Sequence, residues 1–112
     1  MTTYGSYAVA TLVAVHVGEE VEQYLRTIDE TLAPFGGRFV VHGAKARPVE
    51  GEWSGDLIVI GFPARDGAEA WYSSADYQAI LPLRRSNSRG WAVLVAGVEE
   101  PHRATDVLSQ AG

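Results

Sequence analysis

A cationic side chain and an imidazole stand four residues apart at Arg38 and His42, an even spacing that on a strand aims both at one face. If that face lines a cavity, they form a fixed positive charge beside a group able to take or give a proton near neutral pH. The alternative is an Arg38 paired with a surface carboxylate and a His42 at the solvent edge. His16 ends another apparent strand and either joins His42 or serves as a structural group. Trp53 sits in a glycine-flanked loop and reads equally as a plug over an open sheet and as a lid over a ligand. Tyr72 and Tyr77 flank a break between two helical segments, where a phenol can orient a polar ligand and where ring packing is the simpler role. Trp71, beside them, reads as core. Arg84, in the run Arg84, Arg85, Asn87 and Arg89, is either a carboxylate-binding arginine or the solvated cationic end of a helix.

Several chemistries lack their residues. The 112-residue chain has no cysteine, so it has no disulfide, thiolate nucleophile or zinc-thiolate site. Its three histidines are scattered, without His-x-x-x-His or Glu-x-x-His spacing, and no metal site is expected. No Gly-x-Gly-x-x-Gly, P-loop or Gly-x-Ser-x-Gly occurs, and no cofactor is expected. Nine basic against fourteen acidic residues give a net charge of −5, the wrong sign for nucleic acid binding through phosphate contacts. The stretch from Met1 to Val17 carries no Lys or Arg and is broken by Thr11 and His16, unlike a signal peptide or a membrane span; a cytoplasmic protein without membrane contact is expected.

The elements that must hold these residues follow from periodicity. Tyr7 to Val17 alternates as a strand, with Tyr7, Val9, Thr11, Val13, Val15 and Val17 on one face and Ala8, Ala10, Leu12, Ala14 and His16 on the other. Val21, Tyr24, Leu25, Ile28 and Leu32 make a helical stripe, opened by Glu19, Glu20 and Glu22 and closed by Pro34, Gly36 and Gly37. Arg38 to His42 is a short strand, and Gly43 to Gly55 a loop. Leu57 to Phe62 is a continuous apolar strand covered on both faces. Asp66 and Glu69 suggest a capping box for a short helix, and Ser74 caps a second helix that Pro82 bends or restarts. Trp91 to Val98 is the last strand. With 46% hydrophobic and 21% charged residues, the chain forms one globular domain over residues 1–98, followed by a tail, 99–112.

The order β-α-β-β-α-β predicts a ferredoxin-like α+β fold, an antiparallel four-stranded sheet with its helices on one face. The strands are apolar on both faces, so the open face calls for a partner, and a second copy of the chain supplies it as a homodimer.

The blocks Thr31-Leu-Ala-Pro-Phe-Gly-Gly-Arg38, Glu50-Gly-Glu-Trp53, Phe62-Pro-Ala-Arg65, Ala70-Trp-Tyr-Ser-Ser74, Asp76-Tyr-Gln-Ala79 and Leu83-Arg84 occur in that order, and over Tyr7 to Val98 the chain resembles domain-of-unknown-function family 1330. The resemblance implies a dimeric α/β barrel, in which the sheets of two protomers pack together. That superfamily includes cofactor-independent oxygenases, isomerases and haem-degrading enzymes. One departure stands out: where the family strand usually ends in Arg-Gly-Gly, this chain has His42-Gly43-Ala44, which replaces a permanent cation with a titrating imidazole. Two functions are compatible with these readings. One is an enzyme acting on a small aromatic or carbonyl compound by oxygenation or isomerisation, with His42 as acid/base, Arg38 or Arg84 as anion stabiliser, and Trp53, Tyr72 and Tyr77 shaping the pocket. The other is a non-catalytic metabolite-binding or assembly module.

Overall fold

Residues 3–110 are described by a computed structural model. Ten alternating residues form β1 (Ser6–Val15), after which the acidic first turn of α1 (Glu19–Leu32) begins. A single 3-10 turn, Ala33–Phe35, follows α1, and Gly36 then takes the left-handed φ of 67° that a side chain would strain. The chain continues as β2 (Arg38–Val41), a long loop, and β3 (Asp56–Phe62). Next come α2 (Gly67–Tyr72), α3 (Ala75–Arg85) and β4 (Ser88–Ala96). The residues beyond Val98 include a 3-10 turn, Ala104–Asp106, and a short α4 (Val107–Gln110).

The sheet order is β2-β3-β1-β4 with every neighbour antiparallel, the ferredoxin-like arrangement that the element order predicts. β1 and β3 are central, which matches their apolar runs. On one face, Ile28 and Leu32 of α1, Trp71 of α2, and Tyr77, Ile80 and Leu81 of α3 pack with Ile60 and Phe62 to make the core. Burial of these large side chains is the main stabilising term for a domain of this size.

Local capping departs from the sequence reading at one place. α2 starts at Gly67, yet the Asp66 side chain accepts no capping hydrogen bond. The role passes to Ser6, a buried residue at the start of β1, whose Oγ accepts from the Ala68 amide (3.0 Å) and donates to the Ala64 carbonyl (2.8 Å). A strand residue 62 positions away therefore satisfies an orphan N–H of the helix. Ser74 caps α3 as expected, accepting from the Tyr77 amide at 3.3 Å. Pro82 lies inside α3, which runs on past it to Arg85. β4 begins three residues earlier than the Trp91 start expected from alternation, because Ser88 and Arg89 pair with Val15 and Ala14 of β1.

The opposite face of the sheet carries cross-strand rows. Val59, Val9 and Val93 form one, and Leu57, Thr11 and Trp91 another. Gly61, Tyr7 and Val95 form a third, where the Tyr4 ring lies against Gly61 so closely that a Cβ there would meet it at 2.6 Å. Among the described residues no helix covers the β4 end of these rows: Trp91, Val93 and Val95 are 68%, 57% and 51% exposed.

Candidate functional site

Between the sheet and the helical layer lies a hollow of about 350 Å³, open to solvent. Its existence follows from side-chain size. Ala10 stands across from Ala92 on one side and Ile58 on the other, and Ala8 stands between Leu94 and Ile60, so the floor is lined by residues too small to fill the space under the helices. Val21, Leu25 and Ile28 of α1 form one wall, and Trp71, Tyr72 and Tyr77 another. This volume falls at the lower end of the range for small-molecule sites.

The apolar lining is interrupted at the helical wall by one polar cluster. Tyr24 of α1 and Tyr77 of α3, both buried, join their hydroxyls at 2.8 Å. Arg84, two turns after Tyr77 and on the same face of α3, places its guanidinium carbon 5.9 Å from the centre of the Tyr24 ring. Among the described residues, no carboxylate lies within ion-pair distance of Arg84. Burial pulls the Arg84 guanidinium pKa down, but the phenol oxygens of Tyr77 and then Tyr24 outweigh it, and the net shift is upward, so Arg84 is a permanent cation. Burial, reinforced by Tyr77, pushes the Tyr24 phenol above the ordinary tyrosine range, and it stays protonated.

The residues singled out from sequence fall into two groups. Tyr72, Tyr77, Arg84 and His42 all line the hollow. Arg38 and Trp53 do not. Arg38 pairs with Gly61 and Phe39 with Ile60, but the next pair is Val41 with Val59, so Val40 is an extra residue at a bulge. That insertion reverses the alternation: Arg38 projects to the open face, and His42 returns to the helix side, where its ring stacks on Phe39 at 4.3 Å. The expected pairing of Arg38 with His42 on one face is thus corrected. Trp53 is exposed in the β2–β3 loop, its indole N–H donating to the Gly55 carbonyl at 3.3 Å, and it closes nothing over the hollow. His16 is exposed at the end of β1 and does not line the hollow with His42. Trp71 is core, its indole N–H donating to Thr31 Oγ1 at 2.9 Å.

Two lining residues escape the sequence reading. Tyr24 lies within the apolar stripe of α1, and the only signal is a hydroxyl where leucine or phenylalanine would serve packing. Asp56 reaches the rim from the first residue of β3 and is exposed. Among the described residues, no group of three His, Asp or Glu side chains is disposed to hold a metal ion. No helix among them is long and apolar enough to cross a membrane.

Comparison with known proteins agrees with this architecture. The model of the family described as Domain of unknown function (DUF1330) matches residues 5–98. No curated protein matches the chain. Among solved structures, a protein of unknown function from Rhodopseudomonas palustris, RPA0582, is 13% identical with a TM-score of 0.57, over 87% of this chain and 85% of that one. A dimeric ferredoxin-like protein of unknown function from Thermobifida fusca is 18% identical with a TM-score of 0.54, over 84% and 92%. SnoaB, a cofactor-independent oxygenase from Streptomyces nogalater, is 14% identical with a TM-score of 0.55, over 88% and 99%. At these identities the likeness is one of fold.

Proposed function

The chain belongs to the DUF1330 family, and on that premise we propose that it works as a homodimer whose protomers each take a small, mostly apolar carbonyl compound into the hollow and move a proton on it without a cofactor. The observation that carries this reading is the unpaired Arg84 cation beside two tyrosine hydroxyls on an otherwise apolar wall. Such a cluster receives the oxygen-bearing end of a ligand and holds negative charge there, since low surrounding polarity strengthens its field. His42, on the sheet side of the same hollow, acts as the acid/base. In an isomerisation it takes a proton from the carbon next to the carbonyl and returns it at another position, so the reaction balances with no other reactant. SnoaB supports this reading only to the extent that the same fold carries cofactor-independent chemistry in that protein.

The homodimer is supported by the exposed apolar rows of the open sheet face. A dimeric neighbour of the same fold adds to that support.

The exposure of His42, which has no hydrogen-bonded acid to orient it among the described residues, favours a second reading as a binding module. One experiment separates the two. Phenylpyruvate, whose methylene protons exchange through its enol, is incubated in D2O with the protein and followed by NMR. Faster exchange with the wild type than with His42→Ala supports the enzyme. Binding of the compound with exchange at the buffer rate overturns it in favour of the binding module.

A further inference from the structure

We propose that the ligand is a compact apolar monocarboxylate, its carboxylate held by Arg84 and by one hydroxyl of the Tyr24–Tyr77 pair. This rests on the reading of the hollow as a ligand site and adds the charge and size of what occupies it.

Proton accounting carries the argument. Two tyrosine hydroxyls hold two protons, and the 2.8 Å contact between them uses one. The hydroxyl that accepts in that contact still has its own proton to give, and among the described residues no other acceptor is bonded to either oxygen. Arg84 contributes five N–H donors and no acceptor. Even with guanidinium N–H groups turned toward the two phenol oxygens, the cluster holds more donors than acceptors around a fixed positive charge, and its complement is a group with several lone pairs and a negative charge. A carboxylate meets both demands, and the planar guanidinium fork matches it with two parallel hydrogen bonds. A neutral ketone or amide supplies one carbonyl oxygen and leaves the cation without a counter-charge in a weakly polar site, where an unpaired charge is costly. Asp56, the acidic residue among the lining side chains, stands at the exposed rim and forms no ion pair with Arg84, so it does not supply that counter-charge.

The remainder of the ligand is fixed by the walls. At about 30 Å³ per non-hydrogen atom, the share of liquid volume that a water takes, 350 Å³ holds on the order of a dozen such atoms. Aside from the rim, the walls are Ala, Ile, Leu, Val and aromatic rings, with the Tyr72 and Tyr77 ring centres 5.5 Å apart and their planes tilted by 49°. A carboxylate on a single ring or a short branched chain fits; a dicarboxylate or a sugar acid would bury polar groups without partners.

The test uses trans-cinnamate, an aryl monocarboxylate of this size, against its neutral counterpart cinnamamide, by isothermal titration and by chemical-shift changes of the protein. Cinnamate is expected to bind at least tenfold more tightly than cinnamamide, and Arg84→Gln to abolish that preference while amide binding persists. The double variant Tyr24→Phe/Tyr77→Phe should weaken cinnamate severalfold, because it removes the one hydroxyl proton that the pair leaves free. Equal binding of the two compounds, or a preference that survives Arg84→Gln, overturns the carboxylate assignment and leaves the site reading intact. Binding of neither compound to the folded wild type overturns both.

Discussion

The hydroxyls of Tyr24 and Tyr77, 53 residues apart in the chain, meet at 2.8 Å and tie α1 to α3 across the roof of the hollow. Tyr24→Phe keeps the ring packing and deletes this bond, at a cost of about 1 kcal/mol near neutral pH. The wild type also carries a pH dependence that the variant lacks. Because the fold holds the Tyr24 proton more tightly than the unfolded chain does, the contribution is fully present below about pH 10 and is lost as pH rises further. Urea melts at pH 9 and pH 11 should show the wild type losing on the order of 1 kcal/mol more than Tyr24→Phe across that interval. Parallel losses in the two proteins would mean that Tyr24 ionises in the fold as it does in the unfolded chain.

Substitution of Arg84 tests whether its charge is needed for the fold. Its cation–π contact with Tyr24 contributes roughly 0.5–1 kcal/mol, and partial burial of an unpaired charge costs a comparable amount. Arg84→Met retains much of the apolar stem, so the midpoint of thermal unfolding should correspond to a change of no more than about 1 kcal/mol. A loss above about 3 kcal/mol would identify Arg84 as a structural residue and weaken its assignment to a ligand.

Ser6 is the reverse case, a residue with no place in the site and a large effect on the fold. Ser6→Ala leaves the buried Ala68 amide without its acceptor and should cost about 1–3 kcal/mol by urea denaturation, with an unchanged m-value. An effect under 0.5 kcal/mol would mean that water replaces the hydroxyl.

The open sheet face predicts its own disruption. Val93 stands in the row Val59, Val9, Val93, and Val93→Asp puts a charge in the middle of any sheet-to-sheet contact. Light scattering after gel filtration should report twice the chain mass for the wild type and the single-chain mass for the variant. An unchanged mass for Val93→Asp would show that the copies associate elsewhere or not at all.

The strands, helices and their order are legible because each element repeats its apolar positions with a clean period, and because Pro34, Gly36 and Ser74 mark boundaries chemically. The site is only half legible, for two physical reasons. A bulge at Val40 has no signature in residue type, so the even spacing from Arg38 to His42 implies one face while the backbone delivers two. Tyr24 acquires its role from a residue on another helix, and no local pattern announces a contact between positions so far apart. The Asp66 cap fails similarly: the local motif is present, but Ser6 arrives from the first strand and takes the amide.

Three of the sheet's alanines, Ala8, Ala10 and Ala92, line the hollow and trade packing for space. Larger side chains at Ala10 and Ala92 would bring the helical layer more buried apolar contact and raise the melting temperature, as filling a void commonly does. The same change would leave no room for a guest molecule. The chain thus forgoes packing that its own fold could supply, and the most easily stabilised version of this protein is one whose hollow is filled by its own side chains.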